Sequence, residues 1–87
     1  MQLIVLTPNE KVFEGTIERV VLPGADGTFE VLANHAPLIS ALTAGSVEIV
    51  SADKKYTEFK ISGGFFEVLN NSLSLVAQSI IKVHDVT

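Results

Sequence analysis

Two imidazoles, His35 and His84, stand among ten carboxylates in an 87-residue chain without cysteine, so the stock of groups for catalysis or metal binding is small. One constellation suits acyl transfer, with Ser40 as nucleophile, His35 as base and Asp26 as its orienting carboxylate. The spacing does not specify it. The Gly-x-Ser-x-Gly elbow that presents such a serine is absent, and Gly45-Ser46-Val47 opens an apolar run instead of a strand-to-helix turn. For a metal, neither histidine has a second ligand at helical or Cys-x-x-Cys spacing, so no metal site is expected. His84 beside Asp85 reads as a solvated pair near the end of the chain, and His35 as a loop histidine satisfied by backbone or as a contact residue. Gly24-Ala25-Asp26-Gly27 is the densest glycine pattern, but it lacks the Gly-Lys-Ser/Thr ending of a phosphate loop and precedes a strand-like run. It reads as a turn. No cofactor is expected.

The elements that must position these residues are strands. Tyr56 to Ile61 alternates, with Tyr56, Glu58 and Lys60 on one side and Phe59 and Ile61 on the other. Leu73, Leu75 and Ala77 share a face, as do Val47 and Ile49. Leu3 to Leu6, Thr16 to Leu22, Thr28 to Leu32 and Gly64 to Leu69 are β-branched or aromatic runs of strand length. Turn residues at Thr7-Pro8-Asn9, Pro23 to Gly27, Ala52-Asp53-Lys54, Ser62-Gly63-Gly64 and Asn70-Asn71-Ser72 recur about every ten residues, the rhythm of hairpins packed into a sandwich or barrel. No segment has a secure helical period, and Ala36 to Leu42 is read as extended. The expectation is an all-β chain, one domain over residues 1–87.

Composition then restricts the partners. A 47% hydrophobic content and 18% charged content suit a folded core, and the absence of cysteine excludes a disulfide-stapled scaffold. The net charge is −4, and the six cations, Lys11, Arg19, Lys54, Lys55, Lys60 and Lys82, form no patch, so nucleic acid is not an expected partner. No run approaches the ~20 apolar residues of a membrane-spanning helix, and the first residues lack the pattern of a signal peptide. A soluble, cytoplasmic chain is expected. The run from Ala33 to Leu42 holds few charges and should be mostly core, and any apolar face left over would mark a protein contact. Composition thus favours a binding module over an enzyme.

Three blocks carry a family resemblance: Leu22-Pro23-Gly24-Ala25-Asp26-Gly27-Thr28-Phe29, then Asn34-His35-Ala36-Pro37-Leu38-Ile39-Ser40-Ala41-Leu42 followed by Gly45, and Ser62-Gly63-Gly64-Phe65-Phe66-Glu67-Val68. With Leu3 to Pro8, Val12 to Gly15 and Leu75 to Ala77, they span nearly the whole chain. The sequence resembles the N-terminal domain of F-type ATP synthase epsilon subunits. The resemblance implies a β-sandwich of about ten short, mostly antiparallel strands. It also implies a non-catalytic rotor subunit of the central stalk, packed against the gamma subunit and the membrane-embedded proteolipid ring, so that proton flow turns all three together.

By position, the resemblance assigns Thr7, His35, Pro37, Leu38, Ser40 and Leu42 to the gamma contact. Asp26, Gly27, Thr28 and Glu30 fall on the turn that faces the ring. Gly24, Gly27, Gly45, Gly63 and Gly64 are expected to be structural. The sequence departs from the family at Thr28, where an acidic residue is common, and at Glu30, where glycine is usual. Many members continue into a helical hairpin that restrains hydrolysis and in some binds ATP. This sequence ends at Thr87, so neither hairpin nor ATP binding is expected. The implied location is peripheral, on the cytoplasmic face of the bacterial inner membrane, with the chloroplast thylakoid as the alternative. A free-standing β-sandwich adaptor is the alternative function.

Overall fold

The computed structural model describes residues 1–86, with side chains through residue 83, and contains nine strands and no helix among them. They are β1 (Gln2–Leu6), β2 (Lys11–Gly24), β3 (Gly27–Leu32), β4 (Leu38–Leu42), β5 (Gly45–Ser51), β6 (Tyr56–Ile61), β7 (Gly64–Leu69), β8 (Ser72–Ala77) and β9 (Ile80–Val86). The all-β expectation holds, with nine strands in place of about ten. Ala36 to Leu42 is extended as expected, its second part being β4. The C-terminal segment differs, because His84 and Asp85 continue β9 and pair with Glu58 and Thr57 of β6. The expected solvated pairing of their side chains lies outside the described residues.

The hydrogen-bonded order is β1-β8-β7-β4-β2-β5-β6-β9, with β3 also on β2 and β1 returning to β2. The 14-residue β2 closes this path because it pairs with β1 along its first part and with β5 and β3 along its second. Lys11 to Thr16 pair with β1, and Ile17 to Val21 pair with β5 while Arg19 to Gly24 pair with β3. The sheet therefore doubles over into two layers, β4-β7-β8-β1 against β3-β2-β5-β6-β9. One residue makes the transfer work. A bulge at Glu18 places Ile17 opposite Ser51 and Arg19 opposite Val50, and an extra residue flips which side chains face inward. Ile17 is buried before it, and Val20 and Leu22 after it, so β2 keeps feeding the core despite the change of parity.

The core lies between the layers. Leu3, Val5, Phe66, Val68, Leu73, Leu75 and Ala77 come from one side, and Val20, Leu22, Val31, Val47, Ile49, Phe59 and Ile61 from the other. The alternations read in β5, β6 and β8 are all borne out. Phe66 meets Phe29 edge-on at 6.1 Å, and Phe13 meets Phe59 at 6.4 Å, the T-shaped geometry that aromatic quadrupoles favour.

Candidate functional site

The two outer faces of the sandwich differ in chemistry. On the β3-β2-β5-β6 layer, polar side chains tie neighbouring strands together. Arg19 pairs with Glu30 at 3.0 Å, the Tyr56 hydroxyl donates to Glu48 at 3.0 Å, and the Lys60 ammonium donates to Ser46 at 2.7 Å. Burial and the Glu48 carboxylate together hold the Tyr56 pKa above its ordinary value. Exposed pairs of this kind contribute little stability, but they keep the face hydrated.

The β3-β2-β5-β6-β9 layer also exposes Leu32 at one edge and Ile81 and Val83 at the other, but the β4-β7-β8-β1 layer is apolar across its middle. Its strands read LISAL, GFFEVL, SLSLVA and QLIVL, and Glu67 is their sole ionisable side chain. Pairing aligns Ala41, Phe65, Val76 and Leu6 in one cross-strand row and Ile39, Glu67, Ser74 and Ile4 in the next. Ile39 is 75% exposed, Phe65 64%, Leu69 52% and Val76 46%. Ile39, Phe65, Glu67, Ser74 and Val76 line a depression of about 300 Å³ on this face. Contiguous exposed apolar surface of this kind is where docking surfaces are sought on a folded domain.

The sequence-derived sites frame this face without lying on its centre. The run from Ala33 to Leu42, expected to be mostly core, is mostly exposed; only Leu42 is buried, and Leu38 packs half-buried against the core. The physical reason is strand parity. Leu38, Ser40 and Leu42 share the inward side of β4, whereas Ile39 and Ala41 point outward. Leu42, at 7% exposure, supports the surface from beneath. His35 and Pro37 are exposed in the loop at one end of the layer, and Thr7 follows β1 at the other end. Thr7 closes its own turn, its hydroxyl accepting the N–H of Glu10 at 3.1 Å and of Asn9 at 3.3 Å.

No hydrolytic centre assembles from these residues. The ring nitrogen Nδ1 of His35 lies 2.7 Å from the Ala36 carbonyl, which can only accept, so Nδ1 carries the proton. Ser40 donates its hydroxyl to the Ala41 carbonyl at 3.1 Å. Asp26 sits at the end of the sandwich remote from His35, because β4 runs between them. No group of three or more histidines and carboxylates able to hold a metal ion occurs among the described residues.

The turn assigned to the ring is a two-residue hairpin with Ala25 and Asp26 at its tip between the paired Gly24 and Gly27. Ala25 N–H donates to the Ala41 carbonyl at 3.0 Å, and a cleft of about 410 Å³ between turn and β4 brings Asp26, Gly27 and Thr28 beside Ser40. Glu30 stands up the strand opposite Val21, held by Arg19, and is not at the tip. Gly24 is constrained by contact, since a Cβ there would come within 2.6 Å of the Gly27 carbonyl and 2.8 Å of the Phe29 ring. Gly45 lies against Pro23, and Gly63 and Gly64 lead into β7.

Sequence reasoning missed Ile39, Phe65, Glu67 and Val76. The signal was present in Glu67, whose parity marks Phe65 and Leu69 as outward-facing on β7.

Comparison with known proteins adds independent findings. Residues 1–83 match the family described as ATP synthase, Delta/Epsilon chain, beta-sandwich domain. The chain is 39% identical over 79 residues to the ATP synthase epsilon chain of Chlorobium limicola, covering 91% of this chain and 90% of that one. It is 41% identical over 78 residues to the epsilon chain of Chlorobaculum tepidum, covering 90% and 89%. Among solved structures it is similar in fold to a chain of the Euglena gracilis mitochondrial ATP synthase, with a TM-score of 0.87 and 21% identity over 92% of this chain and 51% of that one.

Proposed function

The chain belongs to the ATP synthase delta/epsilon chain family, matching its β-sandwich domain, and on that premise we propose that it couples the membrane rotor to the synthase by binding the gamma subunit and the proteolipid ring. As an epsilon chain it is a non-catalytic subunit of a membrane-associated ATP synthase complex.

The observation that carries the proposal is the apolar surface continuous across β4, β7 and β8. The outer face of β4-β7-β8-β1 is the gamma contact, with Ile39, Phe65 and Val76 at its centre and His35, Pro37 and Thr7 at its ends. Fully burying a side chain such as Phe65 or Ile39 contributes about 1.5–3 kcal/mol, which makes these two the anchors of the contact. The hairpin tip at Asp26, Gly27 and Thr28 faces the ring, where its exposed backbone and carboxylate meet the polar loops of the proteolipids. In this arrangement the sandwich is a rigid spacer, and torque from proton flow passes through it without chemistry of its own. The location that follows is peripheral, on the cytoplasmic face of a bacterial inner membrane.

The test is size-exclusion chromatography of the purified chain with the gamma subunit from the same source, using Phe65→Asp as control. Expected is stable co-elution that the variant loses while keeping its strand circular dichroism. A folded wild-type chain that elutes apart from gamma refutes the assignment and leaves the adaptor reading.

A further inference from the structure

Glu67 occupies the middle of the face proposed for the gamma contact. Along β7 it stands between the outward side chains of Phe65 and Leu69, and across the sheet its neighbours are Ile39 on β4 and Ser74 on β8. No ion pair or side-chain hydrogen bond of Glu67 occurs among the described residues, whereas Arg19, Lys11, Lys54 and Lys55 each hold a carboxylate. A partner that covers Phe65, Ile39 and Val76 must also cover Glu67 and strip its water. A desolvated carboxylate is tolerated only when a cation or several donors replace that water; the four strands carry no cation, and Lys11, the cation nearest along the ladder, opposite Leu6, is already held by Glu14 at 2.7 Å. Ser74 alone offers one hydroxyl and no charge.

We infer that the surface docking on β4-β7-β8-β1 is apolar with one basic side chain, an arginine or lysine, set to meet Glu67. The inference rests on the gamma assignment above and adds a chemical requirement to it. Glu67 then fixes register. A flat apolar face permits a partner to slide, while a buried charge pair has one position of good geometry and penalises every other.

The experiment is calorimetric titration of the full chain with the purified gamma subunit from the same source, comparing wild type, Phe65→Asp, Glu67→Gln and Glu67→Lys at two salt concentrations. Glu67→Gln should weaken binding by roughly 30-fold or more, and Glu67→Lys further, because truncating one member of a buried charge pair strands the other. Both variants should unfold at temperatures close to wild type, since the side chain is exposed in the free chain. Restoration of Glu67→Lys binding by an arginine- or lysine-to-glutamate change in gamma would identify the matching residue. If wild type binds, Phe65→Asp does not, and Glu67→Gln binds within about twofold of wild type, the charge requirement is wrong while the face stands. Absence of wild-type binding overturns the gamma assignment, and this inference with it.

Discussion

Phe65 and Phe66 are consecutive on β7 yet face opposite sides of it, Phe66 wholly buried against Phe29 and Phe65 64% exposed beside Val76. The same residue type thus serves packing at one position and recognition at the next. Phe66→Ala should destabilise the chain by about 3–5 kcal/mol, through lost burial and an unfilled cavity. Phe65→Ala should change stability by no more than about 0.5 kcal/mol. Urea unfolding of the two variants decides between these outcomes. Equal losses would mean that Phe65 also belongs to the core.

Much of this fold was legible in the sequence wherever polar and apolar residues alternate. Tyr56 to Ile61 and Leu73 to Ala77 announce both strand and facing. Ala36 to Leu42 does not, because it has no charged residue to mark the wet side, and its parity is set only by pairing with β7. The sequence therefore does not show that β4 turns Ile39 outward, whereas Leu38, Ser40 and Leu42 are assigned as contacts by the family resemblance alone. The transfer of β2 between layers was equally hidden, since a bulge at Glu18 exists only relative to its partner β5. The strand character of β9 was missed because Ile80-Ile81 breaks alternation at its start and leaves only the four residues from Ile81 to His84 to show it.

Two glycines at positive φ should respond very differently to alanine. Gly64 has φ +155°, and a Cβ there would stand 2.2 Å from the Val76 carbonyl, so β7 and β8 would have to part at their paired end. Gly27 has φ +128° with open space around its Cβ position. Gly64→Ala should cost roughly 3 kcal/mol or more and Gly27→Ala about 1–3 kcal/mol from backbone strain alone. Thermal unfolding of the pair checks the order, and a Gly27→Ala loss as large as that of Gly64→Ala would show that contact is not the deciding factor.

The β5–β6 turn carries a pH-sensitive group. The Ser51 hydroxyl donates to Asp53 at 2.5 Å and Lys55 lies 3.8 Å from the same carboxylate, and these hold the Asp53 pKa below its ordinary 3.8 against the opposing effect of desolvation. A depressed carboxylate contributes stability above its unfolded pKa and loses it as pH falls through the folded value. The contribution should therefore be complete above about pH 5 and fade below the ordinary value. Ser51→Ala should raise the Asp53 titration midpoint in carboxyl NMR, and an unchanged midpoint would assign the depression to Lys55.

Asn34 and Asn71 join the two loops at the His35 end of the apolar face. The Asn71 side-chain carbonyl accepts the Asn34 N–H at 2.9 Å, and both residues hold left-handed backbone, φ 63° each. Asparagine tolerates that conformation better than alanine does, so two effects separate by substitution. Asn71→Gly keeps the backbone and removes the acceptor, costing about 0.5–1.5 kcal/mol. Asn71→Ala adds strain of about 1 kcal/mol or more. Amide exchange at Asn34 should quicken in both variants, while Asn71→Asp, which retains an acceptor oxygen, should keep its protection. If Asn34 exchanges as fast in wild type as in Asn71→Gly, the bond does not hold the loop, and the position of His35 must be set instead by Pro37 and the start of β4.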